Sequence, residues 1–202
     1  MEFDSKDLLA QHELQDLGFY KGPLDGLWGQ RSESALQAWK ATLRATVTPP
    51  LEHGDLDSRS ETNIATLRPA AQVAARKFMA AVIPAMAVFG LEVRITSGNR
   101  SYKEQEALYA QGRTAPGPIV TNARAGYSNH NFGIAWDITL FKGGKPLWES
   151  IHYQECAVIG EDQGLDCGAH WHDLQDEPHY NLKTGYTMAQ LRQRQNDGLP
   201  IP

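Results

Sequence analysis

Ser128-Asn129-His130-Asn131-Phe132-Gly133-Ile134-Ala135-Trp136-Asp137-Ile138-Thr139-Leu140-Phe141 is the stretch on which the reading of this chain turns. From Gly133 to Phe141 the residues alternate, with Ile134, Trp136, Ile138 and Leu140 on one face, and this predicts a strand. Asp137 sits in that strand and His130 stands just before it. Imidazole nitrogen and carboxylate oxygen are both good zinc ligands. The two residues are seven positions apart, an odd number, so in a straight strand they would face opposite sides. They converge only if the chain turns between them, and Asn131-Phe132-Gly133 supplies a turn. Taken alone, the pattern also fits a strand cap followed by a surface aspartate.

A second polar cluster is Asp176-Glu177-Pro178-His179. Pro178 holds Glu177 extended and opposes a helix there. His179 can then serve as a third ligand, with Asp176 or Glu177 nearby but off the metal. Three protein ligands and one open position is the form of a catalytic zinc site. A free carboxylate beside it can move a proton. An acidic surface turn before a partly buried histidine is the plainer alternative. His170-x-His172 has a zinc-like spacing on a strand, but the other set already supplies three ligands. His12, His53 and His152 read as surface residues.

Composition narrows the classes. The chain has 202 residues, 41% of them hydrophobic, with mean hydropathy -0.46. That length fits one domain, or one with a small module. No run of about 18 apolar residues occurs, so no membrane insertion is expected. Nineteen basic against 24 acidic residues leave a net charge of -5, which gives no electrostatic reason to bind nucleic acid. Cys156 and Cys167 lie in no CxxC pattern and read as buried small hydrophobes. The opening Met-Glu-Phe-Asp-Ser-Lys has no apolar signal segment, so the expectation is a protein made and held in a cytoplasm.

Three zones emerge: 1–44, a linker at 45–67, and a main domain at 68–202. In the first, a helix bearing Leu8, Leu14 and Leu17 stops at Gly18. A loop rich in glycine and proline follows, and a second helix opens near Ser32 with Ala35, Leu36, Trp39 and Leu43. The linker shows no period and reads as loop or short helix. In the main domain, Pro69 suits a first helical turn, and Pro84 is expected to kink or restart that helix. Strands are expected at Leu91–Thr96, Gly133–Phe141, His170–Leu174 and Pro178–Asn181. Helices are expected at Tyr102–Gln111, capped by Ser101, at Trp148–Ile159 and at Thr187–Gln195, with a hairpin at Gly143-Gly144. Mixed order without βαβ regularity means α+β.

Ser128-x-His130-x-x-Gly133-x-Ala135-x-Asp137 resembles the SxHxxGxAxD signature of the zinc peptidases that include D-Ala-D-Ala carboxypeptidases, vancomycin-resistance dipeptidases and phage L-alanyl-D-glutamate endopeptidases. Trp171 followed by Asp176-x-Pro178-His179 is similar to that family's second motif. Thr96 to Ser101, Gln105, Leu108-Tyr109, Gly112 to Thr114 and Val120-Thr121 are similar to the upstream segment of its endolysin branch. The resemblance implies a mainly antiparallel sheet flanked by helices, with one Zn2+ held by His130, Asp137 and His179. It implies Asp176 as general base and acid, Arg100 orienting substrate and stabilising the oxyanion, and Ser128 and Gln105 in support. Cys167-Gly168-Ala169 and Tyr180-Asn181 depart from the family's usual residues around the pocket.

Leu14-Gln15-x-Leu17-Gly18-Phe19-Tyr20-x-Gly22-Pro23-x-Asp25-Gly26-x-Trp28-Gly29 resembles the core of the small three-helix peptidoglycan-binding domain. The likeness implies wall binding by Tyr20, Asp25, Gly26 and Trp28. Together the two resemblances imply a phage endolysin that cuts the L-Ala–D-Glu bond of the stem peptide. It would be stored in a Gram-negative host's cytoplasm, released through a membrane pore, and act on the wall from the periplasm. A D,D-carboxypeptidase and a non-catalytic wall-binding protein are the competing expectations. Nothing in the sequence demands more than a monomer.

Overall fold

The computed structural model describes residues 4–44, 51–172 and 175–202. Seven helices and five strands occur among them: α1 Ser5–Asp16, α2 Gln30–Arg44, α3 Ser58–Ala65, α4 Pro69–Ala87, β1 Glu92–Ser97, α5 Tyr102–Ala110, β2 Ala135–Lys142, β3 Lys145–Leu147, α6 His152–Asp162, β4 Leu165–Cys167, β5 His179–Leu182 and α7 Met188–Asn196. The sheet runs β1-β2-β5-β4, with β3 paired to β2. Every strand pair is antiparallel. This is the expected α+β arrangement. None of the described helices is long and apolar enough to cross a membrane.

The alternation read in β2 becomes its burial. Trp136, Ile138 and Leu140 are fully buried and pack in one core with Phe78 and Met79 of α4 and Tyr180 of β5. Phe78 packs on Tyr180 at 4.4 Å between ring centroids, the rings tilted by 36°. Burial of large apolar side chains at about 1.5–3 kcal/mol each is what fixes this register. Ser101 caps α5 in a reciprocal box with Glu104, and Thr187 does the same for α7 with Gln190. Pro69 opens α4 as expected. Pro84 does not break it: the helix runs on to Ala87, its alanines and methionines held in the core. Packing has overridden the local cost of the missing N–H.

Four other expectations change. The zone read as linker is folded from residue 51 onward. Asp57 caps α3, Ile64 is fully buried, and Ser60 Oγ accepts the backbone N–H of Ile95 at 2.9 Å. The main domain therefore starts before residue 68, while 45–50 lies outside the described residues. The strand expected at His170–Leu174 is not formed where it is described. Gly168–His170 makes a 3-10 turn, and residues 173 and 174 are not described. The helix expected from Trp148 begins at His152. Residues 4–44 hold two helices, and the next, α3, packs on β1 rather than on them.

His152, expected on the surface, is buried between the N-terminal unit and α6. Its Nδ1 lies 2.6 Å from Glu155 Oε2 and its Nε2 lies 3.0 Å from Glu13 Oε1 on α1. Phe89 packs on its ring at 4.3 Å, and Trp39 of α2 meets Phe89 edge-on at 5.4 Å. Burial by itself would lower the imidazole pKa, but the two carboxylates outweigh it and push it up to about 9. A folded-state pKa above the unfolded value stabilises below the unfolded pKa, and that gain is lost as pH rises through the folded one. The thermal midpoint is therefore expected to fall as pH goes from 7 to 10, measured by calorimetry. Glu13→Gln is expected to cost about 1.5–3 kcal/mol at pH 7 and to flatten that pH dependence. An unchanged pH profile in the variant would show that the pair does not hold the two units together.

Candidate metal centre

Two backbone features bring three ligand types together. Asp137 of β2 and His179 of β5 are direct cross-strand partners, so both side chains emerge on the same face. His130 arrives from a 3-10 turn, Asn129–Phe132, that ends at Gly133 in the left-handed region, with φ 68°. A residue with a Cβ pays strain there, so glycine is what lets the chain turn and enter β2. His130 Nε2 lies 3.1 Å from Asp137 Oδ1 and 3.2 Å from His179 Nδ1, and His179 Nδ1 lies 3.3 Å from Asp137 Oδ1. The three form a group that can hold a metal ion.

The outer ring nitrogens argue for that role. His130 Nδ1 donates to the Gly98 carbonyl at 2.7 Å, and His179 Nε2 donates to Asn181 Oδ1 at 3.0 Å. With those protons committed outward, both inner nitrogens present lone pairs to each other and to a carboxylate oxygen. Three acceptors at such distances need a cation between them, a proton or a metal. Burial raises the pKa of Asp137, yet the two imidazoles outweigh it and hold the carboxyl well below the ordinary range.

Asn181 was noted in sequence only as a departure from the family's usual residues, although period-two alternation along β5 places it on the same face as His179. Its own amide nitrogen donates to Asp166 Oδ2 at 3.4 Å and to the Leu182 carbonyl at 3.0 Å, which turns its oxygen toward His179. Trp171 Nε1 donates to the other Asp166 oxygen at 3.0 Å, and its ring packs on His179 at 4.9 Å. Asn181→Leu is expected to lower metal affinity about 10–100-fold, as loss of an outer partner does. Competition against a coloured chelator measures this; unchanged affinity would make Asn181 a packing residue only.

Arg100 and Gln105 lie beside the ligands. Arg100 donates to Gln105 Oε1 at 2.9 Å and to Ser97 Oγ at 3.2 Å, and its guanidinium stands 3.8 Å from Asp137 Oδ2. Gln105 is fully buried, its amide fixed by the Ala123 carbonyl at 2.7 Å. Ser128 contributes its carbonyl to the Asn131 N–H rather than a side-chain cap. Asp176 precedes His179, whose backbone N–H it accepts at 3.0 Å. Its side chain reaches solvent, yet desolvation against the site and then the Asp137 charge raise its pKa above the usual carboxylate value. Gly168, the middle residue of the Cys167-Gly168-Ala169 run, fits here: a Cβ on it would run into the Asp176 carbonyl and press on His179 Cβ.

The residues expected to bind wall divide. Tyr20 is buried with its hydroxyl donating to Pro23 O at 2.8 Å, so it braces the loop and offers no surface. Gly26 is likewise buried, its N–H held by Gln11 Oε1 at 3.0 Å. Gln11, which the sequence reading passed over, is the fully buried hub of that loop. Asp25 is exposed but accepts the Leu27 N–H and Gln11 Nε2. Trp28 is half-buried, its N–H on Glu33.

Residues 121–182 match the family described as D-alanyl-D-alanine carboxypeptidase, and residues 4–42 match a peptidoglycan binding domain family. A peptidoglycan L-alanyl-D-glutamate endopeptidase of Bacillus subtilis, CwlK, is 40% identical over 103 residues, covering 46% of this chain and 62% of that protein. The chain thus spans under two thirds of that relative's length. A Serratia marcescens L-Ala D-Glu endopeptidase, ChiX, aligns in structure with TM-score 0.45 and 21% identity, over 66% of this chain and 97% of that one. The segment that matches the family described as D-alanyl-D-alanine carboxypeptidase contains all three residues of the group that can hold a metal, and the segment that matches the peptidoglycan binding domain family precedes it.

Proposed function

We propose that this protein is a zinc-dependent peptidoglycan hydrolase that cuts the L-Ala–D-Glu bond of the stem peptide. The observation that carries the reading is the convergence of His130, Asp137 and His179 within 3.3 Å contacts, next to Arg100 and Asp176. Two zinc bonds of about 2.0–2.1 Å at a tetrahedral angle span close to those contacts, and the nitrogen and oxygen donors suit zinc. The choice of bond is supported by the 40% identity to an L-alanyl-D-glutamate endopeptidase.

His130, Asp137 and His179 would hold the zinc, which would supply Lewis acidity for the scissile carbonyl and the attacking water. Asp176 takes the water's proton and returns it to the leaving amine nitrogen, and its raised pKa suits a group that must both accept and give. Arg100, braced by Gln105 and Ser97, donates to the oxygen on which negative charge develops. The N-terminal unit holds the wall and raises local substrate concentration. A single chain contains all of these groups, so a monomer suffices. The reading extends to phage lysis: storage in the host cytoplasm, release through a pore, and attack from the periplasm. Expression in a Gram-negative host with and without a co-expressed pore tests that extension; lysis without the pore would refute it.

Mass spectrometry of products released from purified Gram-negative peptidoglycan tests the reaction. Stem peptides beginning with D-Glu, and glycan left carrying L-Ala alone, are the expected products. Release of free D-Ala alone would replace this reading with the carboxypeptidase that the matched family's description names. No product from zinc-loaded protein that still binds wall would leave a non-catalytic binder.

A further inference from the structure

A cleft of about 260 Å³ lies where the N-terminal unit meets α6. Asp7, Trp28 and Lys40 line it from the N-terminal unit, and Ile151, Gln154 and Glu155 line it from the peptidase side. Neither unit alone makes this cleft. The contact that forms it is a built one: the buried His152 joins Glu13 of α1 to Glu155 of α6. On the peptidase side, Gln154 Nε2 also donates to Glu177 Oε1 at 3.2 Å. Glu177 follows Asp176 in the loop that leads to His179. The cleft is therefore linked through one side chain to the loop that carries the proposed acid and base.

Its chemistry selects among the parts of the wall. Lys40 and the protonated His152 beside Glu155 offset the Asp7 and Glu155 carboxylates, and His170 adds a further imidazole, so the lining is polar without a net positive charge to attract an anionic stem peptide. An indole and an isoleucine supply apolar surface, while carboxylates, an amide and an ammonium supply acceptors and donors. A sugar ring has this same split, with C–H faces for an aromatic and hydroxyls or an acetamido group for the polar rim. The volume lies below the roughly 300–1,000 Å³ of pockets for drug-sized ligands, which suits a single ring.

We propose that this cleft is a composite subsite for one N-acetylated amino sugar of the glycan strand, shared between the N-terminal unit and the peptidase unit. The proposal rests on the peptidoglycan-hydrolase reading. It adds that wall recognition is not confined to the N-terminal unit. A sugar seated there meets Gln154, which is hydrogen-bonded to Glu177 of the Asp176–His179 loop, so glycan held in the cleft is coupled to that loop through one side chain.

The test is calorimetric titration of the full chain with N,N′-diacetylchitobiose, repeated for Trp28→Ala and Ile151→Trp. The second variant fills the cleft from the peptidase side, and thermal melting confirms that each variant is folded. Saturable binding weakened about tenfold by each substitution, a difference near 1.4 kcal/mol, is the expected result. Absence of saturable binding overturns the proposal. Wild-type binding by Ile151→Trp also overturns it, because the sugar would then sit on the N-terminal unit alone. Cleavage of a sugar-free L-Ala–D-Glu peptide is measured in the same preparations. Peptide cleavage without sugar binding refutes the subsite and leaves the hydrolase reading standing. Sugar binding without peptide cleavage does the reverse.

Discussion

Asp176→Ala is expected to lower turnover about 10²–10⁴-fold with the metal still bound at one equivalent, the loss typical of removing a general acid–base group. The separation of the two effects follows from position. The three ligand atoms come from β2, β5 and the turn before β2, whereas Asp176 lies in the loop before β5. Its carboxyl is solvent-reachable, and it is outside the His-Asp-His group. The loop is held by its backbone, with the Asp176 N–H donating to the Gly168 carbonyl at 2.9 Å and its carbonyl accepting from His179. An alanine keeps both bonds, so the ligand His179 should not shift. Turnover of a soluble stem peptide and metal analysis on the same sample decide the matter. Loss of the metal would make Asp176 a ligand, and retained turnover would hand the proton to another group.

How much of this was legible in sequence depends on which interactions are local. His130, Asp137 and His179 were singled out together by resemblance, since strand alternation alone sets His130 and Asp137 on opposite faces and only a turn such as Asn131-Phe132-Gly133 brings them round. The helix cap at Ser101 was read because its box closes within four residues; Thr187, read as the start of the last helix, makes the same kind of box with Gln190. What failed was long-range. His152 looks like any helical surface histidine until Glu13, 139 residues away, is placed against it. The run from 51 to 67 has no period of its own, and it folds because Ile64 and Ser60 find β1 and α4.

The site shows the same division. Arg100 and Gln105 stood out by resemblance, but the reason they act together is a hydrogen bond between them. Asn181 entered only as a departure from the family's usual residues, and Asp166 not at all. Their role appears only when β4 and β5 pair in register, with Asp166 opposite Asn181. Tyr20 shows the reverse. The loop motif that resembles a binding surface uses its tyrosine hydroxyl to close the loop, donating to the Pro23 carbonyl at 2.8 Å.

Metal removal should act on stability as strongly as on activity. Without a cation the inner faces of His130, His179 and Asp137 press three acceptors together, and a proton can relieve only part of that. These residues also tie the turn before β2 to the β2–β5 pair, so a cation among them crosslinks segments distant in sequence. Ligand bound only by the folded state stabilises by mass action, about 4 kcal/mol at a free concentration 1,000 times the Kd. Chelated protein is therefore expected to melt several degrees lower than zinc-loaded protein, about 2–4 °C per kcal/mol for a chain near this size. Readdition of zinc should restore both the midpoint and turnover. His179→Ala supplies the control, since it should melt at one temperature with or without zinc. If that variant kept the zinc-dependent rise, the stabilising ion would be bound elsewhere, and the assignment of these three residues would fall.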